Sequence, residues 1–459
     1  MTRTTSFQKT AAAVVALALV AVGCGSSSKS GGAAATTVKG AAPTVKGAAT
    51  TVKGAATTAA AAGGATTAAA GAAAGALVVS SDLPLQGASA DASNDTINAL
   101  KLILEQQGGK AGKYSITLKS YDDSTAAKGG WDDATCAKNA GDHVSNKAEV
   151  AVMGTYNSGC AKIQVPVLNQ DPTGPMLIIS HANTNPGLTK AWDPGEPDKY
   201  YPNKTRNYGR IIATDDFQGA AGAQFAFKDL GIKNCVVLND AQTYGVGVAK
   251  AFETAAKAVG INIVATAAWD SKQPNYTALF EGFKSKNPDC VYLGGINDTN
   301  GEQLIRDKVA VLGPNTGAVK LIAPDGFTGY PSVQKLADAE GMYITFAGLP
   351  AGELVKAGGA GAKFVTDFKT KYRHDPVSAY AIYGAAALQY ILASIEKSDG
   401  TRKGVRDAAF SGITIPADKS VIGKAFGIDA ASGDVTVRDM SIQLMKGNAE
   451  TFLKAWPVS

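Results

Sequence analysis

Ser158 and Thr184 are the residues from which the chemistry of this chain is best read. Each follows an apolar run, Val150-Ala151-Val152-Met153 and Met176-Leu177-Ile178-Ile179, that gives way at once to small polar residues. Runs of that length read as buried strands of a parallel sheet, whose C-terminal ends open onto loops. There the two hydroxyls, the permissive backbone at Gly159 and the N–H groups of a following helix suit a small anionic group. The same residues also serve as ordinary helix caps, and the segment alone leaves both readings open.

Bond-making chemistry finds little support. The three histidines, His143, His181 and His374, do not pair at metal-ligand spacing, and no Cys-x-x-Cys or His-Glu-x-x-His occurs. There is no Gly-x-Ser-x-Gly elbow, and Gly108 to Lys113 imitates a phosphate loop only until Tyr114. His143 falls on a helix that reads as polar, and His181 lies after the fourth strand, where it either lines a cleft or packs. Asp122-Asp123 resembles a carboxylate pair for acid–base work but reads as two surface turn residues. No catalytic residue, metal site or cofactor is expected, and the protein is not expected to be an enzyme.

The elements that would position Ser158 and Thr184 alternate regularly. Ala76 to Ser80 reads as a strand and Ser81 to Ser89 as a loop. Asn94 to Gln106 carries Ile97, Leu100, Ile103 and Leu104 at helical spacing and stops at Gly108-Gly109. Ser115 to Leu118 is a strand and Thr135 to Asn146 a helix, which gives βαβαβα and a doubly wound parallel sheet. A second set follows Asp215, with strands at Cys235 to Leu238, Ile261 to Ala265, Cys290 to Leu293 and Val319 to Ile322. The Ser378 to Lys397 segment is apolar nearly all round, which marks a buried helix returning to the first lobe.

The first 75 residues are of another kind. Arg3 and Lys9 precede an apolar run, Ala11 to Val22, too short to span a membrane, and Ala21-Val22-Gly23-Cys24 resembles the lipobox of bacterial lipoproteins. Residues 25–75 are Ala, Gly, Thr and Ser with scattered Lys, and TVKGAAP, TVKGAAT and TVKGAAT repeat from Thr37 to Thr57. Such a segment buries too little to order itself and reads as a tether with a reach of roughly 40 Å. All six basic residues before Ala76 stand without an acidic neighbour there, so the formal charge of +5 becomes 38 minus 39, or −1, for the body. The nearly neutral body offers no footprint for nucleic acid.

The order of short motifs carries a resemblance. Leu83-Pro84-Leu85-x-Gly87, Tyr121-Asp122-Asp123, Gly154-x-x-x-Ser158, Ala182-x-Thr184-x-Pro186-x-Leu188-Thr189, Tyr244-Gly245-x-Gly247 and Asp289-x-Val291-Tyr292-x-Gly294-Gly295 follow one another as in the branched-chain amino acid (Leu/Ile/Val) binding proteins of bacterial ABC importers, in lipoprotein form. The resemblance implies an α/β, type I periplasmic-binding fold, in which two doubly wound lobes joined by a three-segment hinge close on a ligand. The lobes are expected at 76–213 with 348–430, and at 214–347 with 431–459.

Carried over by position, the ligand carboxylate meets Ser158, Gly159 and the backbone and hydroxyl around Ala182 and Thr184. Asp325 is the ammonium partner and Tyr244 a ligand contact. Ile296 stands where the family often has tyrosine, and small residues near Ser89 take the place of a first-loop aromatic. Relatives join cysteines at positions comparable to Cys136 and Cys160. Cys235 and Cys290 open neighbouring strands at one level, close enough to bond; free thiols are the alternative for each pair. The implied protein is a monomeric solute-binding lipoprotein, lipidated at Cys24 on the outer face of the cell membrane, that takes a small amino acid or similar amphiphile to an ABC permease. A sensory lipoprotein with a signalling partner, or less readily an enzyme of small amides, fits the same cleft.

Overall fold

A computed structural model describes residues 75–457. The expected signal peptide, Cys24 and the tether up to residue 74 lie outside the described residues.

Five parallel strands make the first sheet: β1 (Ala76–Leu83), β2 (Tyr114–Asp122), β3 (Glu149–Gly154), β4 (Leu177–Ser180) and β5 (Tyr208–Arg210), in the order β2-β1-β3-β4-β5. The short strand Lys110–Ala111 adds antiparallel to the outer edge of β2. The second sheet repeats this order with β6 (Asn234–Asn239), β7 (Asn262–Ala268), β8 (Cys290–Gly294), β9 (Lys320–Ala323) and β10 (Tyr343–Phe346), as β7-β6-β8-β9-β10. Two antiparallel strands, β11 (Met440–Lys446) and β12 (Ala449–Trp456), then extend it beyond β10. The expectation of two doubly wound lobes holds.

Helices cover both faces of the central strands, and β3 and β8 are buried at every position. Between β10 and β11 the chain returns to the first sheet. There the Tyr380–Glu396 helix, buried nearly all round, packs on the Ala90–Gln106 helix. Tyr372 donates to the Asn98 carbonyl at 2.9 Å. Buried Arg402 donates to the carbonyls of Glu149 at 2.8 Å and His143 at 3.1 Å and pairs with Asp171.

Three sequence expectations need correction. Strand β1 does not stop at Ser80 but continues to Leu83, where it pairs with Asp122. His143 is not on a polar face: it is fully buried, with Nδ1 2.5 Å from Glu149 Oε1 and Nε2 3.1 Å from Asp82 Oδ2. Asp123 is not a surface residue either, being fully buried with neither carboxylate oxygen hydrogen-bonded. Burial, followed by the neighbouring charges of Asp82 and Asp122, pushes its pKa far up. A titratable residue reads as polar in sequence whether or not it is buried, which is why these positions looked exposed.

Two disulfides are present, Cys136–Cys160 in the first lobe and Cys235–Cys290 across adjacent strands β6 and β8. A cross-link closing a loop of the first one's size contributes about 3 kcal/mol.

The His143 network makes stability depend on pH. Burial opposes its charge, but hydrogen bonds and attraction from Asp82 and Glu149 outweigh this and hold the pKa at about 9, against 6.5 for a free histidine. The folded chain therefore keeps a proton that the unfolded chain loses. This contribution is complete below about pH 6.5 and is lost as the pH rises through about 9. Urea midpoints taken near pH 6 and near pH 9.5 should show the fall, and H143Q should flatten it.

Candidate functional site

The C-terminal ends of β3 and β4 lie side by side, with Met153 paired to Ile179. Ser158 opens the Ser158–Asn169 helix directly after β3, and its Oγ accepts a 3.4 Å bond from the N–H of Asn185. The loop after β4 is held from below. Ser180 Oγ accepts from the N–H groups of Ala182 at 3.1 Å and Asn183 at 2.9 Å. Fully buried Arg210 donates to the carbonyls of Asn183 at 2.8 Å and Asn185 at 3.0 Å and to Thr189 Oγ1 at 2.7 Å. This loop is therefore fixed before any ligand arrives.

The second lobe presents Tyr244, in the first turn of the Thr243–Val259 helix, with Ile296 after β8 and Asp325 after β9. Together with Ser158 and Ala182 they line one small cavity between the lobes. Its free space, about 20 Å³ for the centres of water molecules, is room for one or two waters. No Lys or Arg lines it.

Two expected residues stand back from this cavity. Gly159 lies under the indole of Trp131, since a side-chain carbon there would sit 2.4 Å from the ring. Thr184 is fully buried behind the wall, its hydroxyl without a hydrogen-bond partner. His181 also packs: it lies edge-on to Tyr156 at 5.5 Å and Tyr380 at 6.0 Å, and burial drives its pKa down to about 3.

The cavity contains residues that sequence reasoning missed. Tyr156 and Asn157 complete the first-lobe wall, and Tyr380, at the start of the returning helix, faces Asp325. Asp325 is held by two phenols, Tyr244 on Oδ1 and Tyr380 on Oδ2, and Tyr244 Oη also accepts from the N–H of Gly326 at 3.1 Å. Burial raises the pKa of Asp325, and the phenol hydrogen bonds act against the rise. Behind it Asp215 is fully buried with neither oxygen hydrogen-bonded. Its pKa is pushed far up, by burial first and by the charge of Asp325 second. A tyrosine beside Ser158 and an acid opening the second lobe's first helix were the available signals.

Next to this cavity, over Ile296, a wider chamber of about 420 Å³ opens between the lobes. Trp131 lines this chamber, its Nε1 donating to Gln242 Oε1 of the other lobe at 3.0 Å.

A family model described as a periplasmic binding protein matches residues 82–449. The Leu/Ile/Val-binding protein BraC3 of Rhizobium johnstonii is 27% identical over 364 residues, which take in 78% of this chain and 89% of the relative. Among solved structures, a leucine-binding protein of Thermotoga maritima superposes with a TM-score of 0.67 at 21% identity, covering 83% of this chain and 98% of that one. An ABC-transporter solute-binding protein of Rhodopseudomonas palustris in complex with p-hydroxybenzoic acid gives a TM-score of 0.69 at 14% identity, covering 84% and 98%. At such identities the likeness is one of fold, whereas the family model spans most of the sequence. The chain belongs to the periplasmic binding protein family, with two lobes of the type I architecture.

Proposed function

We propose that this is an extracytoplasmic solute-binding lipoprotein that encloses a small amino acid, or an amphiphile of the same kind, between its lobes and hands it to an ABC importer. One observation carries the reading. A buried carboxylate, Asp325, faces neutral donors at the ends of β3 and β4 across a cavity with no basic side chain. That polarity suits a zwitterion: an ammonium group on Asp325, and a carboxylate on Ser158, the backbone about Ala182 and Thr184, and the N-terminus of the Ser158–Asn169 helix. Tyr244 and Ile296 would flank the ligand.

The named ligands of the relatives divide along this line. The R. palustris neighbour was solved with an aromatic acid that carries no cation; such a compound would leave Asp325 buried without a counter-charge, which is costly. The leucine-type ligand named for other relatives supplies one. Capture needs the lobes to part from the arrangement seen here, whose small cavity has room only for water, and to close again on the ligand about the connections near residues 213, 348 and 430, with no chemistry on the ligand.

Calorimetry with a panel of amino acids on the folded mature chain should give a binder. Asp325→Ala should weaken it at least a hundredfold, and Ser158→Ala about tenfold. Unchanged affinity in the Asp325 variant would sink the ammonium role. Lipidation is checked separately: Cys24→Ser should move the protein from the membrane to the soluble fraction, and persistence in the membrane would contradict an anchor at Cys24.

The same reading has a cost in stability. A buried carboxylate with a raised pKa holds a proton that the unfolded chain has released, so stability falls as the pH rises above about 3.8 toward the folded pKa. Asp215→Asn should therefore raise the urea midpoint at neutral pH. A lower midpoint would show that Asp215 is compensated in the folded chain.

A further inference from the structure

Asp298 lies outside the small cavity, in the turn Asn297–Thr299 that follows β8 in the second lobe. Facing it is Ser89 of the first lobe, the residue before the Ala90–Gln106 helix. The Ser89 N–H donates to Asp298 Oδ1 at 3.1 Å, and the Ser89 hydroxyl lies 3.0 Å from Oδ1 and 2.9 Å from Oδ2. Tyr330, on the same lobe as Asp298, donates to Oδ2 at 2.7 Å and stands 3.1 Å from Ser89 Oγ. The Ser89 hydroxyl makes no capping bond to its own helix. A carboxylate of one lobe thus docks at the N-terminus of a helix in the other, where the helix's partial positive charge favours it.

Other contacts cross the cleft as well; in the small cavity Tyr380, on the segment that returns to the first lobe, donates to Asp325. Trp131 meets Gln242, Asn185 Nδ2 donates to the Thr243 carbonyl at 3.1 Å, and Lys250 pairs with Asp193 at 2.9 Å. The first two are neutral, and the third is about half exposed, where such a pair contributes little. Outside the small cavity, Asp298 joins a charge to the Ser89 N–H and hydroxyl across the cleft in a partly buried setting, where Ser89 and Tyr330 are almost wholly buried.

We propose that Asp298 is a latch of the cleft: its carboxylate, seated on Ser89, favours the closed arrangement through contacts that include no ligand atom. Closure then has a contribution of its own, and ligand affinity rises with the fraction of the protein that is closed. Because opening returns both partners to water, the net effect is modest, about tenfold in the ratio of closed to open forms. The proposal deepens the capture reading and rests on two lobes that close, but its test uses no ligand.

Spin labels at K138C and K284C, exposed positions on opposite lobes, report the interlobe distance by pulsed dipolar spectroscopy on the full chain. The parent should show a dominant short distance. D298A and D298N should both move the distribution to longer distances, by about tenfold in population ratio, with melting temperatures near the parent's. S89A, which keeps the backbone donor, should shift it less, and so should Y330F, which spares both Ser89 contacts. A parent that shows only the long distance overturns the latch, as does D298A with an unchanged distribution. D298N that matches the parent overturns the role of the charge, and S89A serves if D298A does not fold. An amino-acid binder whose variants keep the parental distances would leave the capture reading standing and remove the latch.

Discussion

The carboxylate of Asp325 is the point on which the site depends. It belongs to the second sheet, yet one of its two phenol partners, Tyr380, comes from a segment that packs on the first. Desolvating a charge costs several kcal/mol unless hydrogen bonds replace the lost water. Here two tyrosines do so, and each oxygen keeps accepting capacity for a ligand cation. Tyr244 is in turn fixed by the N–H of Gly326, so the carboxylate and its partners form a ring of mutual constraints rather than a flexible acid. The aromatic walls follow from this arrangement, since Tyr156 and Phe346 both pack edge-on to Tyr380 at 5.3 Å.

Tyr380 is in place only because the chain returns to the first lobe, and that return is anchored far from the site. Arg402 is seated in the carbonyls at the end of the Asp133–Ser145 helix and the start of β3. The same region holds His143 between Asp82 and Glu149. Asp82 lies near the end of β1, where its carboxylate accepts from Asn139 at 3.0 Å and from Gln164 at 2.5 Å. A polar network buried to this degree stabilises only when nearly every member is satisfied, and then it fixes the relative positions of strands and helices. The first lobe is rigid at its base, and its loops at the cleft inherit that rigidity.

What was legible in the sequence, and what was not, follows from the range of each signal. Ser158, Ala182, Ile296 and Asp325 follow apolar strands directly, so the pattern of strand and loop located them together at one end of the sheets. Tyr380 could not be found that way. It begins a helix whose every face is apolar, and its hydroxyl matters only because a distant segment brings Asp325 to it. His143 and Asp123 were misread because polarity predicts exposure; the partners of His143 lie in other elements, and Asp123 is buried with neither oxygen hydrogen-bonded. Strands β11 and β12 escaped notice as well; they pair antiparallel at the edge of a parallel sheet, outside the alternation of strand and helix that made the rest readable.

The two lobes are alike in topology and unlike in what they bring to the cleft, and this asymmetry is what the repeat makes possible. Both sheets run in the same strand order and open at the same ends, so each contributes loops of equivalent geometry. The first lobe spends its loops on fixed neutral donors, tied down by Ser180, Asn183 and Arg210. The second carries the carboxylates Asp240, Asp298 and Asp325. Asp240 accepts the N–H groups of Gln242 at 2.9 Å and Ile296 at 3.2 Å and so joins the loops after β6 and β8. A dipolar ligand between such lobes would be bound in one orientation, because reversing it would set carboxylate against carboxylate in a setting with little water to screen them. Orientation is thus decided by which lobe holds the acids, before any contact with the ligand's side chain.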